Sequence, residues 1–265
     1  MKQRIITALI LLPIMLGMLF WANGGIWAAF AGLIALLALW EYSRLMLFTG
    51  KQQVGYIGAT AAFMLMAYCE QWALPPFAWA VVLAFWLLLM PAWLAFKWQL
   101  QGAGTRTLLL GWLMMMPFWY GLLILRPDDE SAVPLLSLMC VVWLADSGAY
   151  FVGRKWGKHK LAPTLSPKKS WEGALGGLVL VWIYASVARG MGWFGFESGW
   201  LTTLFAMTVL TFVSIGGDLL ESWFKRVANI KDSSNLLPGH GGVFDRVDSM
   251  IALIGVAAAV LVLLG

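Results

Sequence analysis

The chain has 265 residues, 61% of them hydrophobic and 12% charged, with a mean hydropathy of +0.80. Soluble domains run near about 45–50% apolar and about 25% charged, and one soluble core of this size cannot bury so much apolar surface. A soluble enzyme, a disordered chain and a fibrous repeat are excluded; the 18 Lys and Arg against 13 Asp and Glu, a net charge of +5, must be explained by where the bases fall.

A membrane-spanning helix needs about 20 mostly apolar residues. In chain order such runs fall at 5–22, 25–40, 54–69, 75–96, 107–125, 132–151, 173–190, 200–217 and 249–265, the second and third being short. The first has a basic start and an apolar centre, as a leader would, but Phe20-Trp21-Ala22 is too bulky for a small-x-small cleavage site, so it reads as a retained span. The joints between runs carry residues that end helices: Asn23-Gly24, then Glu70 with Pro75-Pro76, then Arg126-Pro127-Asp128-Asp129-Glu130. Cys69 and Cys140 match no metal or redox spacing and read as small core residues.

With the N-terminus in the cytoplasm, the segments on that side are 1–4, 41–53, 97–106, 152–172 and 218–248. They hold 16 of the 18 basic residues, Lys2 and Arg4 included, and leave only Arg126 and Arg189 for the far side. The positive-inside rule then predicts an all-α, polytopic integral membrane protein with about nine transmembrane helices, N-terminus cytoplasmic and C-terminus outside. Trp21, Trp40, Trp72, Trp98, Trp193 and Trp200 lie near the proposed ends, as an aromatic belt requires. Residues 1–131 read as a lipid-facing helical scaffold and residues 132–265 as the part carrying a catalytic site.

The first five spans hold almost nothing ionisable, whereas Asp146, Glu172, Asp218, Glu221, Asp232, Asp245 and Asp248 put seven of the 13 acids into the stretches 144–173 and 216–249. Asp146 falls about 7–8 Å inside the end of its helix, with Tyr150 one turn on. A carboxylate there costs several kcal/mol unless it is paired or faces a polar cavity. If the helix ending at Asp218 continues, Glu221, Ser222 and Lys225 share its polar face opposite Leu219, Trp223, Val227 and Ile230, the pattern of an amphipathic helix lying along the interface. Asp245 and Asp248 open the last span, where acids are ordinary caps; three aspartates, Asp218, Asp245 and Asp248, around one loop exceed what capping needs. Hard oxygen donors of this kind suit Mg²⁺ shared with a substrate's phosphates.

Between them, the glycines of Pro238-Gly239-His240-Gly241-Gly242 can take positive φ and present N–H groups to an anion. With Lys225, Arg226, Lys231 and Arg246 beside this loop, and Lys168-Lys169 after Ser166-Pro167, the residues describe a site for a metal-bound polyphosphate. His159 and His240 lack metal-ligand spacing, and His240 reads as a loop hydrogen-bonder.

Ser222-Trp-Phe-Lys225-Arg226, Lys231-Asp232-Ser-Ser234, Leu237-Pro238-Gly239 and His240-Gly241-Gly242-Val-Phe-Asp245-Arg246-Val-Asp248 together resemble the signature of the phosphatidate cytidylyltransferases. Asp146-Ser-Gly-Ala-Tyr150 and Ser166-Pro-Lys-Lys-Ser-Trp-Glu-Gly173 resemble the upstream blocks of that family, so the likeness covers about residues 140–250 by motif. It implies the reaction CTP + phosphatidate → CDP-diacylglycerol + pyrophosphate. It also implies Mg²⁺ at Asp218, Asp245 and Asp248, with room for a second cation. The expected roles are metal binding for these three, phosphate binding for Lys225, Arg226, Lys231 and Arg246, and a supporting role for Asp146. Substrate contacts are expected from Ser222, Asp232, His240, Gly241 and Gly242, and from Ser166, Lys168 and Lys169. The implied partners are CTP, phosphatidate and membrane lipids, with no nucleic acid, a homodimer as the oligomeric form, and a bacterial inner membrane whose cytoplasmic side holds the site.

Two other classes compete. A cation- or proton-coupled transporter places ionisable residues near the midplane of several helices, and here they gather at the cytoplasmic ends. A CDP-alcohol phosphotransferase carries an Asp-Gly-x-x-Ala-Arg motif that this chain lacks.

Overall fold

Apolar runs become helices because a backbone in hydrocarbon must satisfy its own N–H and C=O groups. The computed structural model describes residues 2–195 and 199–264, with side chains from residue 6 onward, so the side chains of Lys2 and Arg4 lie outside it. The helices are α1 (Lys2–Trp21), α2 (Gly24–Leu45), α3 (Gly50–Cys69), α4 (Pro76–Ala84), α5 (Met90–Phe96), α6 (Thr105–Ile124), α7 (Ala132–Trp156), α8 (Trp171–Gly190), α9 (Trp200–Val227) and α10 (Phe244–Leu264). A π turn, Phe85–Leu89, joins α4 to α5 into one rod. Pro91 explains it: the ring lacks an N–H and collides with the carbonyl one turn back, and the ladder widens to pass it.

Seven of these rods are long and apolar enough to cross a membrane: α2, the α4–α5 rod, α6, α7, α8, α9 and α10. The apolar part of α1, Ile6–Trp21, is shorter, and α3 is not apolar enough, with Lys51, Gln52 and Gln53 in its first turn. The structure also corrects the expected ends. α2 extends to Leu45 and α3 begins at Gly50, where Thr49 and Gln52 form a capping box. No separate interfacial helix follows residue 217. Instead α9 runs unbroken for 28 residues, about 42 Å at about 1.5 Å per residue, longer than a hydrocarbon core of about 30 Å. Its last turns stay helical because Leu219, Leu220 and Phe224 are buried, Phe224 lying edge-on to Tyr42 at 5.8 Å and to Trp93 at 6.4 Å.

The all-α expectation is corrected at one place. Lys160–Ala162 (β1) and Ser166–Ser170 (β2) form a small antiparallel pair, with Lys160 opposite Ser170 and Ala162 opposite Ser166. Pro163 and Pro167 prevent helix here, and a short polar loop satisfies its backbone by pairing with itself.

Hydrogen bonds gather the polar ends of the rods together. Tyr42 Oη donates to the Thr107 carbonyl at 2.9 Å, the Gly102 N–H to Met46 at 2.8 Å, Gln101 Nε2 to Val227 at 3.0 Å, Trp223 Nε1 to Trp98 at 2.7 Å, and Thr7 Oγ1 to Pro238 at 2.9 Å. The start of α1, the end of α2, the end of α5, the start of α6 and the end of α9 therefore meet at one end. At the other end Arg126, buried, donates to the carbonyls of Leu19 (2.6 Å) and Ala22 (2.8 Å) and pairs with Asp129 at 3.0 Å, while Arg189 sits 4.4 Å over the Trp200 ring. These are the two bases that the charge pattern separates from the rest. The segments on either side of residue 131 pack as one bundle, with α10 lying against α2, α4, α6 and α9.

Candidate active site

Small residues bring the site-bearing helices into backbone contact. A Cβ added to Gly148 would lie 2.9 Å from Gly177 Cα, and one added to Gly177 would lie 2.5 Å from the Ala145 carbonyl, which seats α8 against α7 beside Asp146. On the other flank a Cβ on Gly217 would lie 2.7 Å from the Asp248 carbonyl, so α9 and α10 touch where Asp218 and Asp248 emerge. Four elements, α7, β2, α9 and α10, thus deliver Asp146, Lys169, Asp218 and Asp248 to one place.

Lys169 Nζ pairs with Asp218 Oδ2 at 2.5 Å, and Ser222 Oγ donates to Asp218 Oδ1 at 3.3 Å. Asp218 repels both Asp146 and Asp248, with Lys169 offsetting both and Arg246 also acting on Asp146. Three carboxylates against one close ammonium leave excess negative charge that a hard cation would neutralise. Among the described residues no group of three or more His, Cys, Asp and Glu is placed to hold a metal ion. Mg²⁺ keeps waters and takes phosphate oxygens into its shell, so it needs fewer protein donors than such a group supplies.

Asp245 stands differently. Its Oδ1 receives Lys225 Nζ at 2.7 Å, and its Oδ2 receives the Ser233 N–H (2.9 Å), Ser233 Oγ (2.9 Å) and the Gly242 N–H (2.8 Å). Lys225 also pairs with Glu221, one turn back on α9, whose Oε1 is buried without a hydrogen-bond partner among the described residues. Asp245, expected as a metal ligand, has both oxygens engaged by protein donors, and Lys225, expected on phosphate, pairs with two carboxylates.

Gly239 and Gly241 take φ of 78° and 83°, as the loop reading requires. Of the loop N–H groups expected to face a substrate anion, that of Gly242 donates to Asp245; those of the next two residues, Val243 and Phe244, donate to Glu41. The physical reason is the helix start. The first N–H groups of α10 lack helical partners and attract the nearest carboxylate. Glu41, on α2, carries no motif signal and was not among the residues singled out from sequence.

The remaining expected residues lie around this core. The side chains of Lys168, Lys231, Asp232 and Arg246 are exposed and make no hydrogen bond or ion pair with the described residues, which leaves the three bases available to an anion. Arg226 Nε donates to the Leu165 carbonyl at 3.3 Å, tying α9 to the β-hairpin that carries Ser166, Lys168 and Lys169. The His240 N–H donates to the Leu237 carbonyl at 2.8 Å, and its ring Nδ1 is buried without a partner among the described residues. Outside the cluster, Glu172 pairs with His159 at 2.6 Å and orders the turn before β1.

Known proteins share this arrangement of sequence. A phosphatidate cytidylyltransferase of Pseudomonas aeruginosa is 44% identical over 98% of this chain and 97% of its own length. One from Staphylococcus epidermidis is 33% identical over 95% of each chain, and one from Haemophilus influenzae is 47% identical over 45% of this chain and 42% of its own length. The model of the cytidylyltransferase family matches residues 2–264, and the chain belongs to that family.

Proposed function

We propose that the protein transfers the CMP group of CTP to phosphatidate, yielding CDP-diacylglycerol and pyrophosphate. The observation that carries this reading is the meeting of Asp146, Asp218 and Asp248 with Lys169 at one end of an apolar bundle, ringed by exposed Lys168, Lys231 and Arg246. A phosphatidate oxygen attacks the α-phosphorus of CTP; the new P–O bond forms as the α–β bridge breaks, and pyrophosphate leaves with the bridging oxygen. The nucleophile is a phosphate monoester, already anionic at pH 7 because its second pKa lies near about 6, so no strong base is needed.

The task of the protein is to bring two anions into line and hold the charge. Mg²⁺, bound at Asp218 and Asp248 with Asp146 in support, would supply charge neutralisation for the entering and leaving oxygens. Lys231, Arg246 and Lys168 neutralise the outer phosphates, and Lys169 keeps Asp218 from swinging away. Asp245 holds the loop, and its Oδ1, which accepts from Lys225, stays within the proposed metal set. The same reading places the polar end in the cytoplasm, where CTP is found, with α1 and α3 completing nine crossings in a bacterial inner membrane.

Purified protein incubated with labelled CTP and phosphatidate is expected to form a CMP-containing lipid and pyrophosphate only with Mg²⁺ present. Folded protein that makes neither product would overturn the reading. Product formed equally well after removal of divalent cations would overturn the metal assignment alone. A transporter is disfavoured by the gathering of these acids at one end of the bundle rather than at the midplane of several helices.

A further inference from the structure

Glu41 is 0% exposed, near the end of α2, and its carboxylate is spent wholly on the segment between Asp232 and Asp245. Oε1 accepts from Ser234 Oγ at 2.5 Å and the Val243 N–H at 3.0 Å; Oε2 accepts from the Phe244 N–H at 2.6 Å and lies 2.9 Å from Ser233 Oγ. The two backbone donors open α10. A carboxylate from another helix therefore does the work of a cap, against the positive end of the helix dipole.

Two further contacts fix the register. Ser233 Oγ lies within 2.9 Å of both Glu41 Oε2 and Asp245 Oδ2, so one hydroxyl sits between the two carboxylates and donates its proton to one of them at a time. A Cβ on Gly242 would collide with Glu41 and with Ser233 Oγ, so only glycine lets the loop approach Glu41 this closely. Next to Glu41, Tyr42 is fully buried and meets Phe224 at 5.8 Å and Phe244 at 6.4 Å, both edge-on, which keeps α2 against the end of α9 and the start of α10. From Glu41 the polar contacts run through Ser233, Asp245 and Lys225 to Glu221, which repels Asp248.

We infer that Glu41 is a positioning residue for the transfer reaction: it seats the 233–244 loop and the first turn of α10, and through them sets where Asp248 and Arg246 stand. It touches neither substrate nor metal. This role rests on the cytidylyl-transfer reading above, and it depends on both carboxylate oxygens accepting, from the donors of Ser234, Val243 and Phe244, with the single Ser233 proton shared between Glu41 and Asp245. Glu41→Gln keeps the volume and places an amide nitrogen against two of those donors.

The test uses the full chain, purified and folded. Glu41→Gln is expected to lower kcat about 100-fold, the scale of a misplacement near 1 Å, with KM for CTP and phosphatidate little changed. Amide exchange at Val243 and Phe244 should rise about tenfold, the loss of about 1.4 kcal/mol of hydrogen bonding, while amides in α6 and α7 keep their protection. Ser234→Ala removes one bond, leaves α2 untouched and should lower kcat by a smaller factor in the same direction.

Wild-type kcat in Glu41→Gln would overturn the inference, as would faster exchange throughout the bundle, which marks a stability role only. If Glu41→Gln does not fold, wild-type kcat in Ser234→Ala overturns it. Absence of product from the wild-type protein would instead overturn the activity, and exchange at Val243 and Phe244 would still report the contact.

Discussion

Asp218 and Asp245 lie at the same end of one bundle and differ in their company. The Asp218 side chain keeps 29% of its surface exposed and meets one ammonium and one hydroxyl, with two other carboxylates in repulsive range. The Asp245 side chain keeps 4% and is held by an ammonium, a hydroxyl and two backbone N–H groups. A charge left partly exposed and under repulsion is available to a ligand. A charge whose oxygens already accept from several protein donors also holds its loop in place, whatever motif it belongs to.

That contrast sets the order of effects on turnover. Asp218→Asn and Asp248→Asn should cost the most, about 10³-fold or more in kcat, the several kcal/mol of charge stabilisation that a bound cation supplies. Thermal stability should hold or rise, because repulsion is relieved. Retained activity in either variant would erase the distinction between the two groups.

Lys225→Met should rank second. It leaves Glu221 and Asp245 buried without their cation and should cost about 3–5 kcal/mol of stability, with turnover of the surviving folded protein down about 100-fold. Thermal unfolding read beside kcat checks it; unchanged stability with lost turnover would place Lys225 on substrate after all. Lys169→Met is the finer probe. Removing the ammonium beside Asp218 leaves the carboxylates more negative, so the Mg²⁺ concentration for half-maximal rate should fall about fivefold, for about 1 kcal/mol of relieved competition. A rise in that concentration would contradict the assigned sign.

Arg126→Met, at the far end, should lower stability through the freed carbonyls of Leu19 and Ala22 while leaving kcat per folded molecule unchanged. A matching loss of turnover would show that the two ends are not independent.

Helices and their approximate limits are readable in the sequence because apolar runs in a bilayer have one backbone solution. The glycines at 239 and 241 are readable for a similar reason, since their positive φ excludes most alternatives. The stretch after Gly217 misleads hydropathy: the apolar run stops there, but Leu219, Leu220 and Phe224 are buried, Phe224 against Tyr42 of α2 and Trp93 of α5, and the helix continues to Val227. The β-hairpin is hidden because its five-residue strand, Ser166-Pro-Lys-Lys-Ser170, has no alternating apolar face. The acids of the site announce themselves by concentration, but which of them are occupied depends on partners such as Ser233 and Gly242 that carry no charge. Glu41 is the extreme case. It is a single acid after an apolar run, and its meaning comes wholly from Ser233, Ser234, Val243 and Phe244 on the far side of the chain.

The contact between Glu41 and Val243 closes a loop of 202 residues. At synthesis rates of about 5–20 residues per second, Val243 leaves the ribosome about 10–40 s after Glu41. During that interval α2 holds a carboxylate at its end with no N–H to meet it, and the water at the membrane surface must solvate it. The site is therefore completed only when α10 arrives: Asp218 can be inserted and in place while Asp248 is still to come, and α10 both supplies the missing acid and relieves Glu41. Nascent chains arrested before residue 243 should expose α2 and the end of α9 to water, which makes them inactive and open to the proteases that clear unfinished membrane proteins.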